Sequence, residues 1–168
     1  EPTKLYARNI DVDTQNERHL GTLDAETFEY EMSGRGPEPL VMALKKGCLA
    51  PEILRLKAGA KVMFVKNNFE EGYVNGTTGI VVHCDFSHIS VKIGNGTIVE
   101  VKPTSWTIEE NGKVKAEIEQ YPLRLAWAIT VHKSQGITLD AAEIDLTSPF
   151  ERGMGYVALS RVKSLDGL

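Results

Sequence analysis

A chain of 168 residues, 42% hydrophobic and 25% charged, has globular composition and room for one ordinary domain or two small ones, so a disordered or fibrous protein is excluded. A formal charge of −4 argues against a uniformly basic surface, although a local positive groove within an acidic protein stays open. Cys48 and Cys84 lie far apart without metal-ligand spacing, and no apolar run reaches the length of a membrane span.

The amino terminus, Glu1-Pro2-Thr3-Lys4, is not a signal peptide, so a soluble intracellular chain is expected. Lys4 to Ala7 predicts a strand. The polar segment Asp11 to Leu20 follows at helical spacing, with Asn9 or Asp11 available as cap. Strand, turn and helix make half of a βαβ unit. Between Gly21 and Ala50 the pattern weakens. Gly34-Arg35-Gly36-Pro37 is a breaker cluster, Asp24, Glu26, Glu29 and Glu31 form a solvated face, and the stretch is expected to be a linker with some helix. Its glycines lack the G-x-x-x-x-G-K-[ST] spacing of a phosphate loop.

From Leu54 to Glu119 short strands alternate with turn signals, the signature of a small barrel or sandwich. Lys61 to Val65, Gly79 to His83, Ile89 to Ile93 and Thr97 to Val101 are strands. Asn95-Gly96 and Asn111-Gly112 predict hairpins with type I′ turns, in which both central residues take positive φ. At Pro122 the period changes. Leu123 to Ile129 is almost continuously apolar, as a parallel strand covered on both faces would be, and Ala141 to Leu146 is a candidate neighbour.

Two runs near the end carry the chemistry. Ala126 to Gly136, containing Thr130-Val131-His132-Lys133-Ser134-Gln135-Gly136, joins an apolar strand to polar groups at its carboxyl end, the edge where open α/β sheets bind ligands. Hydroxyls and N–H groups there are ready donors to phosphate oxygens. Gly155-Tyr156-Val157-Ala158-Leu159-Ser160-Arg161-Val162 predicts a helix that presents one arginine, with Arg152 to Lys163 covering the strands and Tyr156 and Leu159 packing inward. Trp127 is expected in the core. Trp106 remains open to a base-stacking role.

Together these runs resemble motifs V and VI of superfamily-one DNA helicases, in the branch of the RecD-like and Pif-like enzymes. Leu5 to Asn9 with Val12, Asn16 and Leu20 resembles motif IV, and Val74-Asn75-Gly76-Thr77-Thr78-Gly79 resembles the recurrent turn of the barrel that this branch inserts into its second motor domain. The fold class implied is α/β: a RecA-like parallel sheet of the P-loop-NTPase type, without Walker A, interrupted by a small all-β barrel of the Src-homology-3 type. Residues 1–53 would be the first part plus linker, 54–120 the barrel, and 121–168 the remainder.

The resemblance places Asn9, Thr130, His132, Lys133 and Ser134 on single-stranded DNA, and Gln135, Gly136 and Arg161 at the nucleotide. Arg161 would be an arginine finger, charged at every working pH and able to grip phosphate with two donors. ATP and Mg²⁺ would be held mainly by a missing amino-terminal RecA-like domain, since Walker A is absent and Asp145 lacks the adjacent acid of Walker B. The chain by itself is therefore expected to be inactive. The implied parent is an ATP-dependent 5′ to 3′ helicase acting on single strands and at single-strand/duplex junctions, with no membrane partner. The rival is a non-catalytic nucleic-acid-binding or protein-interaction module that keeps the scaffold.

Overall fold

A computed structural model describes residues 2–6, 9–131, 133, 136, 139, 142–144 and 160–162, without the side chains of residues 9–11. Of four sheets among the described residues, two frame the site. Strand β1 (Thr3–Tyr6) lies between two parallel neighbours, β12 (Ala128–Thr130) and β13 (Ala142–Ile144). Leu5 pairs in register with both Ile129 and Ile144 and is fully buried. The candidate strand at Ala141 to Leu146 thus joins the expected sheet, but β1 separates it from β12. The central place goes to the strand that both others can bury.

Helix α1 (Asn9–Thr22) packs on β12 and β1 and buries Val12, Asn16 and Leu20, one residue per turn on one face, with Leu20 reaching the cluster of the antiparallel sheet. Asn16 is polar on that buried stripe for a reason visible in its bonds. Its Nδ2 donates to the Ala128 carbonyl at 3.0 Å and its Oδ1 accepts from the Ala128 N–H at 2.9 Å. The amide therefore closes the open edge of β12, which would otherwise bury two unpaired backbone groups.

The stretch from Gly21 to Ala50 is more structured than a linker. It holds β2 (Phe28–Glu31), β3 (Ser33–Arg35) and α2 (Glu38–Gly47). Strand β2 pairs with β4 (Ile53–Leu56), and β3 pairs with β10 (Lys113–Gln120). The breaker glycines serve close packing. A Cβ on Gly34 would sit 2.7 Å from Val41 Cγ1, and one on Gly36, at φ 113°, would sit 2.5 Å from the Lys115 carbonyl. Asp24, Glu26, Glu29 and Glu31 are all exposed, as expected of a solvated face.

The antiparallel sheet runs β11 (Leu123–Leu125), β5 (Lys61–Phe64), β6 (Thr78–Cys84), β7 (Ile89–Ile93), β8 (Ile98–Val101). The apolar run Leu123 to Ile129 is accordingly two strands rather than one: β11 is antiparallel to β5, and β12 is parallel to β1. Trp127 lies at the break, half-buried and stacked on the His19 ring with centroids 5.3 Å apart. Apolar content alone could not locate a change of partner, because both halves are buried.

Of the two Asn-Gly hairpins, Asn111-Gly112 has positive φ at both positions, 53° and 73°, and joins β9 (Thr104–Glu110) to β10 as a type I′ turn should. At Asn95-Gly96 only the glycine is left-handed, at φ 87°. The Gly96 N–H donates to the Ile93 carbonyl and the Ile93 N–H to the Thr97 carbonyl, so Gly94 joins the loop. Three residues then connect the strands where two were expected.

Two hydrophobic clusters fill the interior, and β5 is the wall between them. Val62 and Phe64 point into the cluster with Leu54, Val81, Ile89, Val91 and Leu123, while Met63 and Val65 point into the one with Leu5, Ile129, Val131, Leu139 and Ala142. The period-two alternation of a strand puts successive side chains on opposite faces. One strand thereby belongs to both cores.

Candidate nucleotide and nucleic-acid site

Of the expected site residues, Thr130, Lys133 and Gly136 are described at and just past the end of β12. Thr130, the last residue of β12, is buried, and its Oγ1 accepts from the Lys133 N–H at 3.2 Å. The Val131 N–H donates to the Tyr6 carbonyl, carrying the tie to β1 one residue past the strand. Thr130 therefore shapes the turn from within and leads the chain directly to Lys133.

Lys133 is half-buried, and its ammonium is held below the usual lysine range, first by burial and then by the charge of Arg124, with Asp13 opposing. Arg124 is itself 8% exposed. Its Nη1 donates to the Leu49 carbonyl at 3.2 Å, while Nε is buried without a hydrogen-bond partner among the described residues. Two cations thus share one buried quarter of the molecule. Neither belongs to an ion pair among the described residues, and an anion would be favoured there.

Gly136 takes φ 81° and is exposed, as a turn needing a left-handed residue requires. Three residues later the Leu139 N–H donates to the Arg161 carbonyl at 2.6 Å, and Leu139 forms a parallel bridge with Val162. This tie brings the arginine of the second run beside the segment that follows Gly136. Arg161 Nη2 donates to Ser160 Oγ at 3.2 Å. Ser160 and Arg161 lie in a turn and Val162 in the bridge, so the predicted helix does not extend through Val162. The backbone bond to Leu139 takes the place of a helical bond there.

Gln135, His132 and Ser134 lie outside the described residues, as do Asp145, Tyr156 and Leu159, and of Asn9 only the backbone, at the start of α1, is described.

Gly136 also lines a cleft of about 510 Å³ together with Asn67, Asn75, Gly76, Thr77 and Asn95. The turn on its far wall is rigidly held. Asn67 Oδ1 accepts from the Asn75 N–H at 2.8 Å, Thr77 Oγ1 accepts from the Val74 N–H at 3.0 Å, and the Gly76 N–H donates to the Phe64 carbonyl. Asn75 Oδ1 is buried and unpaired among the described residues, an acceptor that costs free energy until a donor reaches it. Arg124 and Asn67 escape a motif-based reading, because each acts through a backbone partner outside any motif that contains it, Leu49 and Asn75 respectively.

Trp106 is half-buried on β9, and the Lys66 ammonium sits 4.8 Å from the centroid of its ring. One ring face is thus occupied by a cation, whose charge burial disfavours. Among the described residues no group of three His, Cys, Asp or Glu side chains can hold a metal ion, and no helix is long and apolar enough to cross a membrane.

A parallel sheet that delivers Thr130, Lys133 and Gly136 to its carboxyl edge, packed through a shared strand on an antiparallel sheet, has the architecture of a DNA-helicase segment. Residues 40–84 match the family model described as DNA helicase Pif1, 2B domain. The chain is 38% identical over 218 aligned positions to an ATP-dependent DNA helicase Pif1 of Psychrobacter sp. (strain PRwf-1), covering 99% of this chain and 33% of that protein. A solved structure of Bacteroides sp Pif1 in complex with ADP-AlF4 superposes with a TM-score of 0.86 at 31% identity, covering 99% of this chain and 39% of that one. The structure of Pif1 helicase from Bacteroides in complex with ADP-AlF3 and ssDNA gives 0.72 at 31% identity, with the same coverages. The chain belongs to the Pif1 family of DNA helicases. It spans about a third of the length of the curated relative.

Proposed function

We propose that this chain is the carboxyl-terminal part of an ATP-dependent DNA helicase that couples ATP hydrolysis to 5′ to 3′ translocation on single-stranded DNA and to duplex unwinding. Residues 1–53 and 121–168 form a second RecA-like domain, and residues 54–120 an inserted barrel of the Src-homology-3 type. A first RecA-like domain, outside this chain, holds most of the ATP and its Mg²⁺. Relatives solved with ADP-AlF4, or with ADP-AlF3 and single-stranded DNA, support both ligands.

The observation that carries the reading is the backbone tie between Leu139 and Arg161. It holds the Arg161 backbone beside Leu139, three residues past Gly136, which supports reading the two runs as one unit between the two ligands. Phosphoryl transfer needs positive charge at the γ-phosphate more than it needs covalent help, and an arginine donated across a domain interface meets that need. In this reading Gln135 and Gly136 line the nucleotide cleft with Arg161. Thr130, His132, Lys133 and Ser134 grip the DNA backbone with Asn9, and the buried charges of Arg124 and Lys133 bias that region toward phosphate.

The test is Arg161→Ala and Arg161→Lys in the full-length protein. ATP turnover is expected to fall by about a thousandfold for alanine, with little recovery for lysine, while single-stranded DNA affinity stays within about threefold. Turnover equal to wild type would remove Arg161 from the mechanism. Salt-dependent binding of single strands that ignores ATP would replace the motor by a binding module.

A further inference from the structure

Away from the motif V edge, the face where β2 meets the start of β11 carries a second cleft, of about 320 Å³, whose lining includes Tyr30, Phe86, Tyr121, Glu29, Glu31 and Glu119. Its aromatic floor is built rather than incidental. Tyr30 and Tyr121 pack edge to face at 5.0 Å, and Phe86 stands edge to face on Phe28 at 5.2 Å while remaining 86% exposed. Large exposed aromatics of this kind mark interaction sites when the backbone beneath them is fixed.

It is fixed here. Asp85 Oδ1 accepts from the N–H groups of Ser87 and His88, the Asp85 N–H donates to the His88 carbonyl, and the Tyr30 hydroxyl donates to the Asp85 carbonyl at 2.6 Å. Behind the floor, the buried Gln120 amide donates to the carbonyls of Tyr30, Pro51 and Glu52 and accepts from the Tyr121 N–H. An occupant would find the surface already formed, which lowers the ordering cost of binding.

The rim is acidic and largely uncompensated. Of its three carboxylates only Glu29 has a cation, Arg55 at 2.7 Å, and Arg55 also reaches Glu17. Glu31 and Glu119 are exposed and make no ion pair among the described residues. The negative field is felt by the floor. After burial, Asp85 and Glu119 are what hold the Tyr121 phenol above its ordinary range. No lysine or arginine lines the cleft.

We propose that this cleft docks an arginine-bearing, extended segment of a partner protein, its guanidinium stacked on Phe86 and Tyr121 and forked onto Glu31 and Glu119. Planar, weakly hydrated guanidinium suits an aromatic floor with carboxylates at the edge, and lysine suits it less. Nucleic acid is disfavoured by the same charges that favour arginine. The surface requires nothing of the motor assignment, so its test stands apart from that of Arg161.

The test uses the full-length protein and a fluorescein-labelled (Gly-Arg)4 peptide, read by anisotropy at 50 and 150 mM salt. Combined Glu31→Gln and Glu119→Gln substitutions are expected to weaken binding about tenfold, the sum of two exposed ion pairs, and Phe86→Ala about threefold, as for an exposed cation–π contact. A (Gly-Lys)4 peptide should bind more weakly than the arginine peptide. The matched pair Glu109→Gln and Glu110→Gln removes the same charge from β9 and should leave binding unchanged. Hydrogen exchange should show protection at residues 28–31, 85–88 and 119–121. Equal loss in the β9 pair would reduce the effect to net charge and overturn the proposal. So would protection of the same segments by oligo-dT, or by self-association of the chain without peptide.

Discussion

The two sheets solve opposite problems. The antiparallel one is built mostly from neighbours in the chain: short loops join β6 to β7 and β7 to β8, and the buried side chains of β5 to β8 share one cluster with Leu20, Tyr30, Leu54, Leu56 and Leu123. The parallel one joins a short strand from the start of the chain to two near its end, and it depends on others for closure: α1 for the edge of β12, Met63 and Val65 for part of its core. The contrast separates a sheet built mostly from neighbouring strands from one assembled across the chain, whose carboxyl edge carries the candidate site. Loop residues on a borrowed scaffold can serve a ligand without weakening the scaffold itself.

If β5 is the common wall, damage on either of its faces should be felt by both sheets. Phe64→Ala empties the antiparallel core and is expected to cost about 3–5 kcal/mol; Met63→Ala empties the parallel side for about 2–5 kcal/mol. Urea unfolding of both variants should keep a single cooperative transition. Two separated transitions in either would show that the sheets are independent units and break the comparison.

Asn16→Ala acts on one sheet only. It leaves the buried N–H and carbonyl of Ala128 unpaired, at a cost of about 1–3 kcal/mol for each group left so. Hydrogen exchange should quicken at residues 128–131 and stay unchanged at 78–93. Single-stranded DNA affinity should fall with it, because motif V hangs from that strand. Equal quickening across both sheets would assign Asn16 a global rather than an edge role.

The smallest effect concerns Lys133. Burial and Arg124 depress its pKa, so it surrenders its proton at a lower pH than an ordinary lysine. The depression disfavours the charged form in the folded state. Its cost to stability is therefore present below the folded pKa and is relieved as pH rises through that value towards the unfolded one. Phosphate binding has the opposite sign: it favours the proton, so DNA affinity should weaken as pH rises through the depressed value. Arg124→Gln should move that weakening to higher pH in a binding titration. An unmoved profile would separate Arg124 from Lys133.

Much of the function-bearing pattern was legible beforehand. The TVHKSQG run after an apolar strand, the helical stripe of Val12, Asn16 and Leu20, and the β alternation from Lys61 onward are local patterns with local causes. The double positive φ at Asn111-Gly112 is another, since a two-residue turn is decided by its own residues. Asn95-Gly96 looks identical in sequence and behaves differently, because the strands on either side admitted Gly94 into the loop.

By itself the sequence determined the elements whose signals repeat within a few residues, together with the family its motifs resemble. Tertiary structure decided the partners: that Leu123 to Leu125 turns to β5 while Ala128 to Thr130 turns to β1, that Gly34 and Gly36 admit close packing of α2 and β10, that Asn16 closes an edge and that Arg161 lies beside Leu139. The physical reason is common to all of them. Apolar content and turn residues state that a group will be buried or bent, but a hydrogen bond or a packed face is completed by a residue elsewhere in the chain, and only the folded arrangement selects which one.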